Sequence, residues 1–185
     1  MSAQYCRKID LHQGNATLSP AKLGYRNRNM KELKPAMLQY TFEDMKKMDR
    51  SQLGDMVPLE LFRTIRLIGL NQGLPLGGKG TTLTIGRKIG ESLPATTVEE
   101  LLMLFESLKI GIPRIIHSDE HKINIAVEDC FCKGLPSLEE EKMICDLEGA
   151  ILEGSLTKIM GRRVAVKEIK CNAAGHEHCE YEVKL

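Results

Sequence analysis

The stretch that decides the fold lies near the end of the chain and reads Glu168-Ile169-Lys170-Cys171-Asn172-Ala173-Ala174-Gly175-His176-Glu177-His178-Cys179-Glu180-Tyr181. With Cys145 upstream, it offers three thiolates and one carboxylate, from Cys145, Glu168, Cys171 and Cys179. Thiolates select zinc, copper(I) or iron-sulfur clusters, and a carboxylate that completes three sulfurs suits zinc better than a cluster. Four protein ligands leave no open position for water. The spacing therefore predicts a structural zinc site without catalysis at the metal.

Cysteine is also a small apolar side chain that often packs in a core, and this alternative stays open from the spacing alone. Five of the six cysteines, all but Cys6, fall in the last third of the chain. The segment from Met1 to Arg7 contains no apolar signal sequence, so we expect a cytoplasmic protein. In a reducing compartment such thiols bind metal more often than they form disulfides.

Period-two patterns predict strands on both sides of one long helix. Ile123, Ile125 and Val127 alternate with polar residues, which predicts a hairpin from about Ile112 onward. A capping box at Ser137 and Glu140 predicts a helix that runs through Cys145 and ends at Gly161. The last strand has Cys179, Tyr181 and Val183 on its inward face. The expected order is strand-strand-helix-strand-strand.

The two proposed ligands of the third strand pose a problem of direction. Glu168 and Cys171 are three residues apart, and in a regular strand they would face opposite sides of the sheet. A bulge or strand end near Ile169 and Lys170 would bring them together. Without it, His176 or His178 would be the better fourth ligand.

The first half of the chain is expected to be mostly helical. Residues 1–34 are polar and form an N-terminal extension, and the domain spans 35–185. Alternation around Leu38 to Glu43 fits a short strand. Helical periodicity then predicts three helices: one over Leu59–Leu70 with Leu61, Ile65 and Ile68 in the core, one capped by Thr81 or Thr82 and carrying Leu83 to Leu93, and a buried one opened by Thr96 and Glu99.

Composition excludes several classes of partner. The chain has 185 residues, 42% apolar and 28% charged, and a net charge of +1, which fits one ordinary domain. A balanced charge without interleaved aromatic residues argues against nucleic acid, and no apolar run approaches the roughly 20 residues of a membrane span. Gly73, Gly78 and Lys79 imitate a phosphate-binding loop, but Gly80 stands where that loop needs Ser or Thr.

The segment from Ile123 to Val183 resembles the 4-vinyl reductase domain family, most specifically within 112–185. The resemblance rests on three stretches, namely Val127-Glu128-Asp129-Cys130, Cys145-Asp146-Leu147-Glu148-Gly149 and the closing run quoted above. The family includes a protein linked to bacteriochlorophyll synthesis, the sensory domains of phenol-responsive transcription activators and stand-alone archaeal proteins. Its fold is similar to that of Golgi transport subunits.

The resemblance implies an α+β fold, with an antiparallel sheet covered by helices. In the phenol-sensing relatives a zinc is held at positions that match Cys145, Glu168, Cys171 and Cys179, beside an apolar pocket for a small molecule. It also implies a homodimer. Gly149, Ala150 and Gly154 would allow close packing at such an interface or, equally, within one subunit.

Three functions follow as hypotheses. The first is a non-enzymatic, zinc-stabilised module that holds an apolar or aromatic small molecule in a sensory or carrier role, with any output through a separate protein partner. The second is an enzyme, either a partner-dependent reductase of a tetrapyrrole vinyl group or a zinc hydrolase that uses His176 or His178. No dinucleotide or flavin signature supports reduction by this chain alone. The third is an assembly adaptor with Cys130 and Cys132 as reactive or acylated thiols, although two free thiols at a strand end explain them more simply.

Overall fold

A computed structural model describes residues 40–47, 50, 52–74, 78–136 and 142–185. Its helices are α1 (Phe42–Met45), α2 (Leu59–Arg63), a π-helical segment (Thr64–Leu70), α3 (Asn71–Gly73), α4 (Lys79–Ser92), α5 (Val98–Ser107) and α6 (Asp146–Met160). Its strands are β1 (Ile112–Ser118), β2 (Lys122–Glu128), β3 (Ala165–Lys170) and β4 (Cys179–Lys184). The predicted N-terminal extension, 1–34, lies outside the described residues. The fold is α+β, as predicted.

The four strands form one antiparallel sheet in the order β1-β2-β4-β3. The predicted strand-strand-helix-strand-strand unit is confirmed, because α6 connects β2 to β3 and the two later strands close the sheet. Alternation in β4 buries Cys179, Tyr181 and Val183 completely, as predicted. Ile123, Ile125 and Val127 of β2 meet the same core. The sheet therefore presents one apolar face to the helices.

The register between β3 and β4 shifts between Glu168 and Lys170. This bulge lies where the spacing of the proposed ligands required one. The strand then ends, and Cys171 begins a short 3-10 turn, Asn172–Ala174. The irregularity removes the alternation that would have placed Glu168 and Cys171 on opposite faces.

Helices α4 and α6 approach each other through glycines. A Cβ atom added at Gly86 would collide with Ala150, one at Gly90 with the Ile151 carbonyl, and one at Gly154 with the backbone of Arg87. Only glycine allows two helix backbones to come this close. Of the two roles considered for Gly149, Ala150 and Gly154, close packing within the subunit is therefore the one observed.

Several helix starts differ from the sequence prediction. Helix α4 begins at Lys79 after Gly78 in the left-handed conformation, so neither Thr81 nor Thr82 caps it. Thr97 caps α5 by accepting a hydrogen bond from the Glu100 amide, one residue later than predicted. Of its apolar residues Leu101 and Phe105 are buried, while Met103 and Leu108 are exposed.

Helix α6 begins only at Asp146 and ends at the predicted Gly161. The proposed capping box at Ser137 and Glu140 lies outside the described residues, and residues 142–145 are not helical. Cys145 is the N-cap residue of α6, at the point where the chain enters the helix. This position leaves its thiol free to turn toward the sheet.

The region before α4 is packed more loosely than predicted. The expected strand around Tyr40 to Glu43 is wrong for these residues, because Thr41 and Asp44 form a capping box that starts α1. The predicted helix over Leu59–Leu70 exists, but its second half is π-helical. Its apolar residues Leu61, Ile65 and Ile68 are about half exposed, so the prediction that they lie in the core is wrong.

Among the described residues, none of the helices has the length and apolar character needed to cross a membrane.

Candidate metal centre and adjoining cavity

Five buried thiols meet between the start of α6 and the end of the sheet. This thiol cluster consists of Cys130, Cys132, Cys145, Cys171 and Cys179. The turn after β2 supplies the first two, the N-cap of α6 the third, the end of β3 the fourth and the start of β4 the last. Four separate elements thus converge on one point, and four of these cysteines lie close enough together to hold a metal ion.

The sulfur separations match the geometry of a tetrahedral zinc site. Cys145 Sγ lies 3.8 Å from the sulfurs of Cys130, Cys171 and Cys179. Zinc-sulfur bonds of about 2.3 Å in a regular tetrahedron place neighbouring sulfurs about 3.8 Å apart. Neutral thiols packed as ordinary core groups have no reason to converge at this spacing.

Glu168 joins the cluster through its carboxylate. Its Oε2 accepts a hydrogen bond of 3.0 Å from the Cys145 amide. Its Oε1 is buried and has no hydrogen-bond partner among the described residues. A buried carboxylate oxygen without a partner is costly, and a metal ion is one group that would satisfy it. The predicted ligands Cys145, Glu168, Cys171 and Cys179 are therefore brought together, with their ligand atoms within 4.8 Å of one another.

The electrostatics of the cluster also fit a cation. Burial, together with the neighbouring Cys171, raises the pKa of Glu168 to about 9. Hydrogen bonds from neighbouring thiols, that of Cys132 first, lower the pKa of Cys130. The same network, beginning with Cys130, raises the pKa of Cys145 and of Cys179. One thiol can therefore lose its proton easily, whereas further anions need a positive charge among them.

Neither histidine considered as a fourth ligand belongs to this group. His176 Nδ1 lies 3.2 Å from the Cys171 carbonyl oxygen, and His178 Nε2 lies 3.6 Å from Glu180. Within the described part of the chain, the two sets of residues able to hold a metal contain only cysteines and Glu168. The role of Cys130 and Cys132 was missed, because a Cys-x-Cys pair at a strand end gives no sign of distant partners.

A cavity of about 630 Å³ opens beside the thiol cluster. Cys145 and Glu168 belong to its wall, so the cavity and the cluster share two residues. Its apolar surface comes from the π-helical segment, α4, the start of α6 and β3, through Leu67, Leu83, Met143, Ile144, Ala150 and Val166. Exposed lysines stand at its rim, namely Lys79, Lys142 and Lys167. The cavity thus combines an apolar wall with a positively charged rim.

Arg66, in the π-helical segment, reaches the inner end of this cavity and is only 4% exposed. Its Nη2 donates a 2.7 Å hydrogen bond to the Ile144 carbonyl, and its guanidinium carbon lies 4.2 Å from the centre of the Phe131 ring. Glu148 lies 2.8 Å from Nη2 as an ion pair, although its Oε2 makes no hydrogen bond. The Nε and Nη1 atoms have no hydrogen-bond partner among the described residues. Sequence periodicity missed Arg66, since arginine on a helix is usually solvated.

A sequence model of the vinyl-4-reductase domain matches residues 123–185, which include all five cluster cysteines. Among the relatives is the uncharacterised protein MJ0745 of Methanocaldococcus jannaschii. It is 31% identical over 132 residues, which cover 70% of this chain and 70% of the relative. This identity and coverage are sufficient to assign the two proteins to one family.

Solved structures share the fold at lower identity. A vinyl-4-reductase family protein from M. jannaschii is 22% identical and has a TM-score of 0.56, over 77% of this chain and 87% of that one. The phenol-responsive sensory domain of the transcription activator PoxR, with phenol, is 13% identical and has a TM-score of 0.51, over 71% and 76%. Fold, matched residues and sequence identity agree, and the chain belongs to the vinyl-4-reductase domain family, as the resemblance predicted.

Proposed function

We propose that this protein is a zinc-stabilised small-molecule-binding module, in which the cavity beside the thiol cluster holds a ligand with an apolar or aromatic body. The observation that carries the proposal is the shared wall, since Cys145 and Glu168 belong both to the cluster and to the cavity. A cavity of about 630 Å³ falls in the range of small-molecule sites, roughly 300–1,000 Å³. The related fold of a phenol-responsive sensory domain supports a sensory or carrier role.

The charged groups of the cavity favour a ligand that also carries an acidic oxygen. Arg66 offers buried nitrogen atoms without partners, and an unpartnered buried donor is costly unless a ligand completes it. The lysines at the rim attract an anion further out. Phenols and aromatic carboxylic acids combine a flat apolar body with such an oxygen, so we expect them to bind better than uncharged aromatics of the same size.

In the proposed metal site Cys145, Glu168, Cys171 and Cys179 hold the zinc. When bound, the ion supplies a positive charge that lets the thiols and the carboxylate ionise in a buried place. With four protein ligands it has no position for water, so its role is to connect α6 with β3 and β4. Proposals of hydrolysis at this metal lose support, because His176 and His178 face backbone and Glu180 instead.

The metal is tested by elemental analysis and native mass spectrometry on protein purified without added metal. We expect one zinc per chain in the wild type and none in Cys145→Ser, which removes the central thiol. Ser92→Ala, a change at the exposed end of α4, is the control that should keep its zinc. A folded wild type without any metal would overturn the proposal, and iron with inorganic sulfide would replace zinc by a cluster.

The ligand is tested by thermal unfolding with phenol, benzoate and toluene as probes. We expect phenol and benzoate to raise the midpoint and toluene to do so less. Thr82→Trp, which fills the cavity from α4, should abolish the response, whereas Thr84→Trp on the exposed side of the same helix should keep it. An unchanged midpoint with every probe, or equal shifts in both variants, would argue against this cavity as the site.

The second candidate is a partner-dependent reductase of a tetrapyrrole vinyl group, which the name of one structural neighbour raises. It requires turnover once a reductant and a partner protein are supplied, and the same cavity variants would then lose activity. Homodimer formation and a separate partner for output stay predictions. The glycines first considered for a dimer interface are already used between α4 and α6.

A further inference from the structure

Two complete sets of metal ligands overlap in the thiol cluster. One is Cys145, Glu168, Cys171 and Cys179, and the other is formed by Cys130 and Cys132 with Cys145 and Cys179. In each set all ligand atoms lie within 4.8 Å of one another. Cys145 and Cys179 are common to both, so the sets differ only in which pair completes them.

The spacing of the two pairs indicates one ion and not two. If two ions shared the thiolates of Cys145 and Cys179, the outer ligands of one ion would lie about 5.5 Å or more from those of the other, given metal-sulfur bonds of about 2.3 Å. The sulfurs of Cys132 and Cys171, which belong to opposite pairs, are only 4.0 Å apart. Cys132 Sγ is also 3.4 Å from Cys179 Sγ. The two pairs therefore surround the same small volume.

The Cys130–Cys132 turn is positioned without the help of a metal. Arg63 of α2 donates hydrogen bonds to the carbonyls of Phe131 and Lys133. The Lys133 amide donates to the Cys130 carbonyl at 2.8 Å, which closes the turn. The two thiols are thus held against the cluster by backbone contacts, as a reserve of donors beside an ion.

The two ligand sets also carry the same charge. Four thiolates, or three thiolates and one carboxylate, each contribute four negative charges to a divalent ion. Exchange between them leaves the net charge of the buried centre unchanged, and so avoids the large cost of burying an additional charge. The distinction between the sets is chemical: one is all sulfur and the other includes an oxygen.

We propose that Cys130 and Cys132 are a second ligand pair for the same ion and can take the place of Glu168 and Cys171. The ion then stays bound while Glu168, which lines the cavity, turns to a ligand there. This inference rests on the proposed metal site, and it adds a way for the cavity to affect the metal without releasing it.

The test compares Glu168→Gln with the triple variant Glu168→Gln/Cys130→Ser/Cys132→Ser. Each protein is loaded with ¹¹³Cd²⁺, whose NMR shift reports the number of sulfur ligands. We expect Glu168→Gln to hold one ion within about tenfold of the wild-type affinity, with an all-sulfur shift. The triple variant should bind at least about 100-fold more weakly, because neither set is complete.

The pair variant Cys130→Ser/Cys132→Ser is the matched control, and it should hold one ion with a mixed sulfur and oxygen shift. If Glu168→Gln fails to fold, Glu168→Asp, whose carboxylate is too short to reach the ion, replaces it. The inference is overturned if Glu168→Gln loses the ion as fully as the triple variant, or keeps it with a shift that Cys130→Ser/Cys132→Ser does not change. Absence of metal from the wild type would instead overturn the proposed function.

Discussion

The helices before α4 and the unit from α4 to β4 have similarly apolar sequences but use them differently. In the later unit Ile125, Leu152 and Tyr181 are completely buried. In the earlier helices Leu61 and Ile65 remain about half exposed. Apolar periodicity predicts a helix in both places, but it does not say what covers the apolar face. Burial in the later unit comes from four strands and close helix contacts that join distant parts of the chain.

Arg66 offers the strongest test of this difference, because it connects the two regions through Glu148 and Ile144. Arg66→Met should destabilise the protein by about 3–5 kcal/mol, since it leaves the buried Glu148 without its partner. Chemical denaturation followed by circular dichroism would measure this change. The double variant Arg66→Met/Glu148→Leu should recover most of it. A loss below about 1 kcal/mol in Arg66→Met would mean that the early helices do not depend on this ion pair.

The pH dependence of stability examines the same junction from the side of Glu148. Burial raises the pKa of Glu148 to about 7, against the opposing effect of Arg66. The folded state thus holds this proton more tightly than the unfolded state, whose value is near 4.5. The resulting stability is complete below pH 4.5 and is lost as the pH rises through 7.

Across this window the loss amounts to at most about 3 kcal/mol relative to Glu148→Gln, which does not titrate. Denaturant midpoints of both proteins at several pH values provide the comparison. Parallel curves for wild type and Glu148→Gln would show that the carboxyl is already ionised when buried, held so by Arg66.

Close packing inside the later unit is tested at Gly90. Gly90→Ala should destabilise by about 1–3 kcal/mol, because the new methyl group collides with the Ile151 carbonyl and the Ser155 amide. Gly80→Ala, in the same helix with nothing within 4 Å of the new atom, should stabilise by about 0.5–1 kcal/mol. Equal effects at both positions, measured by thermal unfolding, would contradict the close approach of α4 and α6.

The smallest effect is expected on the exposed face of the early helices. Ile65→Ser should change stability by no more than about 0.5 kcal/mol, as Ile65 is 56% exposed. Ile125→Ser, at a completely buried position, should cost several kcal/mol and serves as the comparison. A loss of more than about 2 kcal/mol in Ile65→Ser would show that this face is covered in solution.

Sequence patterns predicted the later unit well because its signals are local and regular. Period-two alternation identified β2 and β4, and the odd spacing of Glu168 and Cys171 predicted the irregularity in β3. The ligands on separate elements could be grouped only by family resemblance, since no local pattern links Cys145 to Cys179. The same limit explains why Cys130 was assigned to a free thiol and not to the cluster.

The predictions failed where two local signals competed. Alternation around Tyr40 favoured a strand, but the capping box of Thr41 and Asp44 prevailed and formed a short helix. Thr97, not Thr96, caps α5, because two adjacent threonines precede two adjacent glutamates. Arg66 could not be found from its helix alone, as its partner Glu148 belongs to a helix far along the chain.

The irregularity in β3 has a consequence for evolution and design. A regular strand returns to the same face at every second residue, so the three-residue step from Glu168 to Cys171 is possible only while the bulge persists. Deleting Ile169 would give an acceptable strand and a ruined ligand pair. Selection on this segment therefore acts on residue count more than on residue type, and a designer who transplants the site must copy its length before its letters.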